Sequence, residues 1–152
     1  MGEWAGLAQL VDEAAAVVAA TCDQQRRPVL GRAWGPTLGA DGQQLTVCVE
    51  APTGGAMARN LQTGGPVAIT LARLISHRSV QCKGPLVRLA APNDEALSAV
   101  AEHVERFVAE GAKAGMPSWF ARGLVGRELV TVTIDVAAAT DETPGAEIGR
   151  AL

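Results

Sequence analysis

The sequence predicts an α+β fold in which six short antiparallel β-strands curl into a barrel and one long helix precedes the last strand. Apolar, β-branched segments of strand length alternate with short links rich in Gly and Pro, which suit hairpins and are too short for parallel crossovers. One segment, residues 93–111, instead repeats apolar residues at helical spacing. Because closure removes unpaired sheet edges, the strands are most easily accommodated as a barrel within a single domain, residues 1–152.

The first third of the chain predicts a short helix followed by three strands. Trp4, Leu7 and Val11 recur at helical spacing, which indicates an amphipathic helix within residues 1–13 that covers one end of the barrel. The Pro-closed turn QQRRP separates the first two strands, and the DG turn in ADGQQ separates the second from the third. The predicted strands are 15–22, 28–37 and 44–50.

The remainder predicts a short helix, two strands, the long helix and a last strand. AMARNLQTGG gives about two helical turns that end in glycines. PVAITLARL is a branched strand, and SVQCKGPLVRL continues as one strand that Gly84 and Pro85 bend midway. The long helix starts at Asn93 with acidic residues in its first turn. After a connector with one helical turn, ELVTVTIDVAAA alternates as the last strand, and residues 140–152 form a polar tail.

Composition and charge exclude several classes of function. The net charge is −3 and the chain has no long basic run, which argues against a nucleic-acid partner. No apolar run is long enough to span a bilayer, so no membrane association is expected. The three cysteines form no CxxC pair and suit reduced core thiols, which predicts a cytoplasmic protein. The two histidines lack companion ligands, so no metal site is expected.

A polar row runs through the stretch LISHRSVQCKG, and alternation alone leaves its partner open. His77, Ser79, Gln81 and Lys83 share one parity of a strand, while Arg78 precedes Val80 and Cys82 on the other. The row faces either solvent or a ligand. The chain has no G-x-S-x-G turn, so Ser79 is not a hydrolase nucleophile. It also has neither a P-loop nor the glycine motif of dinucleotide-binding folds.

Two further features are interpreted from their positions in the chain. His103 lies in the long helix between Val100 and Phe107, which indicates a structural role. Trp119 and Phe120 follow a proline in the connector, where an aromatic pair caps a pocket or packs at a dimer interface.

Five segments together resemble the flavin-binding split-barrel proteins related to pyridoxamine 5′-phosphate oxidase. They are RPVLGRAWG, LTVCVE, MARNLQTGGPVAIT, HRSVQCKG and, in the tail, DETPGAEIG, which resembles the closing turn of a branch of small members. The resemblance covers nearly the whole chain. It implies a six-stranded antiparallel split β-barrel with Greek-key topology and flanking helices.

The resemblance also implies a homodimer with flavin mononucleotide (FMN) at the subunit interface, against the outside of the barrel. It assigns the phosphate to basic and hydroxyl side chains of the second strand, of the loop and helix after the third strand, and of the fifth strand. The cofactor-binding candidates by position are Arg32, Thr53, Arg59, His77, Arg78, Ser79, Gln81 and Lys83. The polar row would then face the cofactor.

One position departs from the family pattern. Where many members carry Lys at the start of the short helix, this chain has Met57, which offers no charge-assisted donor to a phosphate. Arg59 is the nearest substitute, although neighbouring helical positions point about 100° apart. The backbone amides of Gly54 and Gly55 offer a second route to anion binding.

Two functional classes follow. The first is an FMN-dependent oxidoreductase of unassigned substrate, in which the cofactor carries the redox chemistry. Oxidation of pyridoxamine phosphate itself is disfavoured, because the chain lacks the later Trp and basic segment that close that enzyme's substrate site. The second is a binding module on the same barrel for haem, a deazaflavin or another small molecule, with His77 as the one reasonable haem ligand.

Overall fold

The computed structural model describes Trp4 and residues 6–152. The helices of this part are α1 (Leu7–Glu13), α2 (Ala56–Gln62), α3 (Asp94–Lys113) and α4 (Ser118–Gly123). The strands are β1 (Ala16–Cys22), β2 (Pro28–Leu38), β3 (Gln44–Glu50), β4 (Val67–Ala72), β5 (Ser79–Gly84), β6 (Leu86–Ala90), β7 (Leu129–Asp135), β8 (Ala138–Asp141) and β9 (Arg150–Ala151).

All these strands form one antiparallel sheet in the order β6-β7-β3-β2-β1-β4-β5-β8-β9. Strands β1, β2 and β3 follow one another as hairpins, and β4 returns through α2 to lie on the free side of β1. That arrangement is a Greek key. The α+β class and the antiparallel sheet predicted from the sequence are therefore confirmed.

The barrel interior is filled by alternate residues of the strands and closed at its two ends by helices. On β1, Val17, Ala19 and Thr21 point inward and are buried, while their neighbours point outward. Leu10 of α1 closes one end of this core and Leu61 of α2 closes the other. The predicted covering role of the N-terminal helix is confirmed.

A second core lies outside the barrel, between α3 and the outer face of β2 and β3. Trp34 and Cys48 pack there against Val104 and Phe107 of the helix. The Trp34 and Phe107 rings meet edge to face, with 5.4 Å between their centroids. The inserted helix is thus held by one aromatic cluster.

The predicted count of six strands is wrong, because two predicted strands are each divided into two and the tail adds a short one. The first division falls at Gly84 and Pro85, between β5 and β6. A Cβ atom on Gly84 would lie 1.7 Å from the carbonyl oxygen of Asp135, so only glycine allows the chains to cross there. The second division follows Asp135, whose amide donates to the Pro85 carbonyl. The two breaks form one crossing that closes the barrel.

Two helix boundaries also differ slightly from the prediction. The N-terminal helix begins at Leu7, after Gly6 at φ +75°, and the start of the predicted segment 1–13 lies outside the described residues. Helix α3 extends to Lys113, with Asn93 as its N-cap: the Asn93 side chain accepts a hydrogen bond from the amide of Ala96.

Candidate functional site

The polar row of the sequence follows the outer face of β5, but its members have different environments. Ser79 is buried, and its amide donates to the Thr143 hydroxyl at 3.0 Å. The Gln81 side-chain amide donates to the Thr70 hydroxyl at 3.2 Å. Lys83 is exposed, and His77 lies before the strand in the β4–β5 turn, with φ +58°. The row therefore reaches solvent at His77 and Lys83, and partly at Gln81.

Small side chains surround Gln81 and Lys83 across four strands. Strand pairing aligns Val18 with Thr70, Thr70 with Gln81, and Gln81 with Thr140. We call the outward-facing residues of these strands the outer floor: Ala16, Val18, Ala20, Ala68, Thr70, Ala72, Gln81, Lys83, Ala138 and Thr140. Since most of them are alanine or β-branched, the outer floor is shallow and largely apolar.

An apolar cavity of about 380 Å³ occupies one end of the outer floor. Its walls include Ala20, Cys22 and Pro28, and Lys83 lies at its margin. A polar cavity of about 540 Å³ lies between the β1–β2 hairpin and α2, where Asp23, Arg27 and Arg59 contribute to its lining. Cys22 is adjacent in sequence to Asp23, and Arg27 to Pro28, so both cavities border the β1–β2 hairpin.

Arg59 is the cation of the polar cavity that pairs with no acid among the described residues. Asp23 accepts from Arg27 at 2.7 Å, and hydrogen bonds from the Arg27 backbone and side chain lower the pKa of Asp23. The Arg59 guanidinium donates to the Gly54 carbonyl. Within residues 6–152, no carboxylate lies within 4.0 Å of the Arg59 guanidinium. An anion entering the cavity would find this guanidinium available.

The cofactor-binding candidates do not converge at one place on the chain. Arg59 lies at the α2 end of β1, whereas Ser79 pairs with Ala72 at the α1 end. The length of β1 separates the two ends, roughly 20 Å for seven residues. Arg78 also lies at the α1 end, where its charge contributes to lowering the pKa values of Glu13 and Asp141 after larger effects of hydrogen bonding.

Two further positions near α2 are already engaged. The Thr53 hydroxyl donates to the Glu128 carboxylate at 3.2 Å, which places negative charge beside this predicted phosphate donor. Met57 is buried in the barrel, and its thioether accepts a hydrogen bond from the Thr21 hydroxyl at 3.4 Å. A lysine at position 57 would bring its charge toward this core, so the departure at Met57 is explained by packing.

Arg32 lies in a different cavity, at the α3 margin of the outer floor. This cavity has a volume of about 460 Å³, and Val18, Leu30, Phe107 and Met116 contribute apolar walls. The Arg32 guanidinium carbon is 5.9 Å from the centroid of the Phe107 ring, a cation–π distance.

His103 is structural, as its position in the helix predicted. Its Nδ1 accepts from the Gly35 amide at 3.2 Å, and its Nε2 lies 3.1 Å from the Ala14 carbonyl oxygen. Burial, with a smaller contribution from the Arg106 charge, lowers the pKa of His103 to about 4. The ring is neutral at pH 7, with Nε2 donating to Ala14, and both nitrogens are occupied.

The sequence interpretation missed the polar cavity at the β1–β2 hairpin. The stretch QQRRP predicts a turn, and its two arginines also indicate that charged groups follow β1. Among the residues that the structure describes, no three His, Cys, Asp or Glu side chains lie close enough to hold a metal ion. In the same residues, no helix has the length and apolarity needed to cross a bilayer.

Comparison with solved structures identifies the fold. An F420 reductase superposes with a TM-score of 0.57 at 15% identity, covering 89% of this chain and 96% of the other. A pyridoxamine 5′-phosphate oxidase-related, FMN-binding protein from Nostoc punctiforme gives 0.52 at 14% identity, covering 97% and 87%. HutZ, the heme storage protein from Vibrio cholerae, gives 0.52 at 15% identity, covering 93% and 95%.

These likenesses concern the fold. No protein-family model matches the sequence. No curated protein is detectably similar in sequence. The chain has the split-barrel fold of the pyridoxamine 5′-phosphate oxidase-related proteins, as the resemblance of its sequence motifs implied.

Proposed function

We propose that this protein binds FMN at the β1–β2 end of the outer floor and acts as a small FMN-dependent oxidoreductase. The observation that carries the proposal is that two cavities of different character border the β1–β2 hairpin. The polar one contains Arg59, which has no ion-pair partner among the described residues, and the other is shallow and apolar, so together they match a ligand with an anionic group at one end and a flat ring at the other.

The polar cavity suits the phosphate of FMN. Arg59 supplies a guanidinium, the group that binds phosphate oxygens in a bidentate manner. Asp23 in the same cavity is paired with Arg27, so its negative charge is largely compensated. Arg59 is therefore the residue that would hold the phosphate. It would do so without the lysine that many members of the family carry at the position of Met57.

The apolar cavity suits the ring system. Ala20, Pro28 and Ala138 present short side chains over which a planar ring can lie. Lys83 and Gln81 provide the nearest polar groups of the outer floor, and Lys83 is free to donate to carbonyl oxygens at the ring edge. Bound flavin would supply the hydride and electron transfer, while these residues orient it and exclude water from one face.

A second copy of the chain is the proposed cover for this site. The outer floor is apolar and leaves its small side chains partly exposed, which is costly in a monomer and typical of a subunit interface. In the resulting homodimer, the ligand would lie between a floor from each subunit.

Titration of FMN with the purified protein tests the proposal through quenching of flavin fluorescence. The protein should quench FMN, and Arg59→Ala should raise the Kd by about tenfold or more, because a charge-assisted contact to the phosphate is lost. Arg26→Ala is the matched control, since Arg26 lies in the same hairpin but does not line the cavity. Absent quenching, or equal effects of the two variants, would refute the FMN site.

Haem is the second candidate, and it rests on the two histidines. His103 has both ring nitrogens engaged inside the protein, whereas His77 is exposed in the β4–β5 turn. His77 is thus the histidine available as an axial ligand. If haem is the ligand, added hemin gives a Soret band that His77→Ala shifts or abolishes. Unchanged hemin spectra with quenched FMN would eliminate this candidate.

A further inference from the structure

We infer that the cavity at the α3 margin of the outer floor binds a small organic carboxylate with an apolar body. This site lies beyond the proposed FMN site and requires neither FMN nor a second copy of the chain. It rests on the shape of the cavity, on the chemistry of its walls and on the position of Arg32.

The cavity is large enough for a compact organic molecule and is almost entirely apolar. Its volume of about 460 Å³ lies within the range of small-molecule pockets. Leu30 of β2, Leu74 of the β4–β5 connection and Met116 of the α3–α4 connection border this open cavity, and Val18 forms part of the floor. Leu30 is 68% exposed and adds apolar surface at the rim of the cavity.

Among the residues that the structure describes, Arg32 is the one charged side chain in the lining, and no acid pairs with it. Within the described part of the chain, no carboxylate lies within 4.0 Å of its guanidinium. The guanidinium carbon lies over the Phe107 ring, 5.9 Å from its centroid, at the edge of the cavity. A guanidinium held beside apolar walls favours a carboxylate, because the two planar groups form paired hydrogen bonds.

The position of Arg32 separates this site from the FMN phosphate. Arg59 lines the polar cavity at the β1–β2 hairpin, and Arg32 does not. Leu30 projects between the hairpin and Arg32 on the same outward face of β2, since strand residues two apart point the same way. The two arginines thus serve different cavities, and the carboxylate site takes its own ligand.

A pair of probes tests the inference: 2-naphthoate and its neutral analogue 2-naphthylmethanol, titrated calorimetrically into the wild-type protein, Arg32→Gln and Arg88→Gln. Wild type should bind the acid about tenfold more tightly than the alcohol, which is the effect of one charge-assisted contact. Arg32→Gln should remove that preference. Arg88→Gln, which changes another exposed arginine outside this cavity, should retain it.

Three outcomes would overturn the inference: no binding of either probe, equal binding of acid and alcohol by the wild type, or an unchanged preference in Arg32→Gln. A fourth outcome would also overturn it: Arg32→Gln loses FMN quenching but binds naphthoate as before. That result would mean that Arg32 binds the phosphate of FMN. FMN quenching by the wild type tests the proposed function separately, so failure of one site leaves the other measurable.

Discussion

At the scale of the residue, His103 joins three parts of the fold. Its ring nitrogens connect α3 to the Gly35 amide in β2 and to the Ala14 carbonyl between α1 and β1. The Trp34 ring packs against the imidazole, with 5.5 Å between the centroids. The helical pattern placed His103 on the packing face, but the two hydrogen bonds link residues distant in sequence and required the tertiary structure.

The buried state of His103 predicts that stability falls in mildly acidic solution. Its pKa in the folded protein is about 4, against an ordinary value of 6.5, so the unfolded chain binds the proton more readily between these values. The free energy of unfolding therefore has its full value above pH 6.5. It declines as the pH falls toward 4, by about 3 kcal/mol in all. Urea unfolding at pH 7.5, 5.5 and 4.5 measures this decline.

Two variants isolate the contribution of this histidine. His103→Gln should lower stability at pH 7.5 by about 1–3 kcal/mol, because one buried partner loses its hydrogen bond, and should flatten the decline between pH 6.5 and 4.5. His77→Gln removes an exposed histidine and should follow the wild type. The explanation fails if both variants keep the full pH dependence.

At the scale of the element, the docking of α3 depends on Gly35. This residue has φ +62°, and a Cβ atom on it would lie 2.7 Å from the Val100 amide nitrogen. The helix backbone therefore approaches the strand as closely as glycine permits. A glycine within a strand usually marks a close approach or a bulge, and the β2–β3 register does shift between Trp34 and Thr37.

Gly35→Ala should destabilise the protein by more than about 2 kcal/mol, since backbone strain is added to a clash that the helix cannot avoid without moving. Gly64→Ala is the matched control: Gly64 has φ +71° but no atom within 4 Å of an added Cβ, so it should lose only about 1 kcal/mol from strain. Chemical denaturation measures both. Equal losses would show that α3 does not press on the strand at this glycine.

Some boundaries of the strands are set by neighbouring residues, and others by contacts between residues far apart in sequence. The strands of the first half were predicted within a residue or so, because Pro28 and the DG turn mark their limits locally. The division of the last two predicted strands was missed. It depends on the contact of Gly84 with Asp135, two residues that no local pattern connects.

At the scale of the whole molecule, the outer floor is the main apolar surface on which the proposed function depends. Leu30 borders it on β2 and is largely exposed, and Trp119 of α4 is 75% exposed. The sequence offered two interpretations of the pair Trp119 and Phe120, as a pocket cap or as part of an interface. The two rings pack against each other edge to face, which leaves most of Trp119 available to a partner.

The proposed homodimer predicts a dimeric mass by light scattering, and it predicts that Leu30→Glu weakens association. A symmetric interface contains the substitution twice, so the dimer Kd should rise by about a hundredfold or more. Leu97→Glu alters a comparably apolar exposed site on α3, away from the outer floor, and should leave the mass unchanged. A monomeric wild type would contradict the dimer and the covered ligand site together.

The sequence by itself determined the fold class, the order of the elements, and the outward parity of Gln81 and Lys83. These follow from periodicity and turn chemistry, which act over a few neighbouring residues. Only the tertiary structure places Arg59 and Arg32 in different cavities, Arg59 at the β1–β2 hairpin and Arg32 beside α3. It also places Met57 in the core. Such proximities arise where strands distant in sequence pair and a helix docks across them, so no local pattern encodes them.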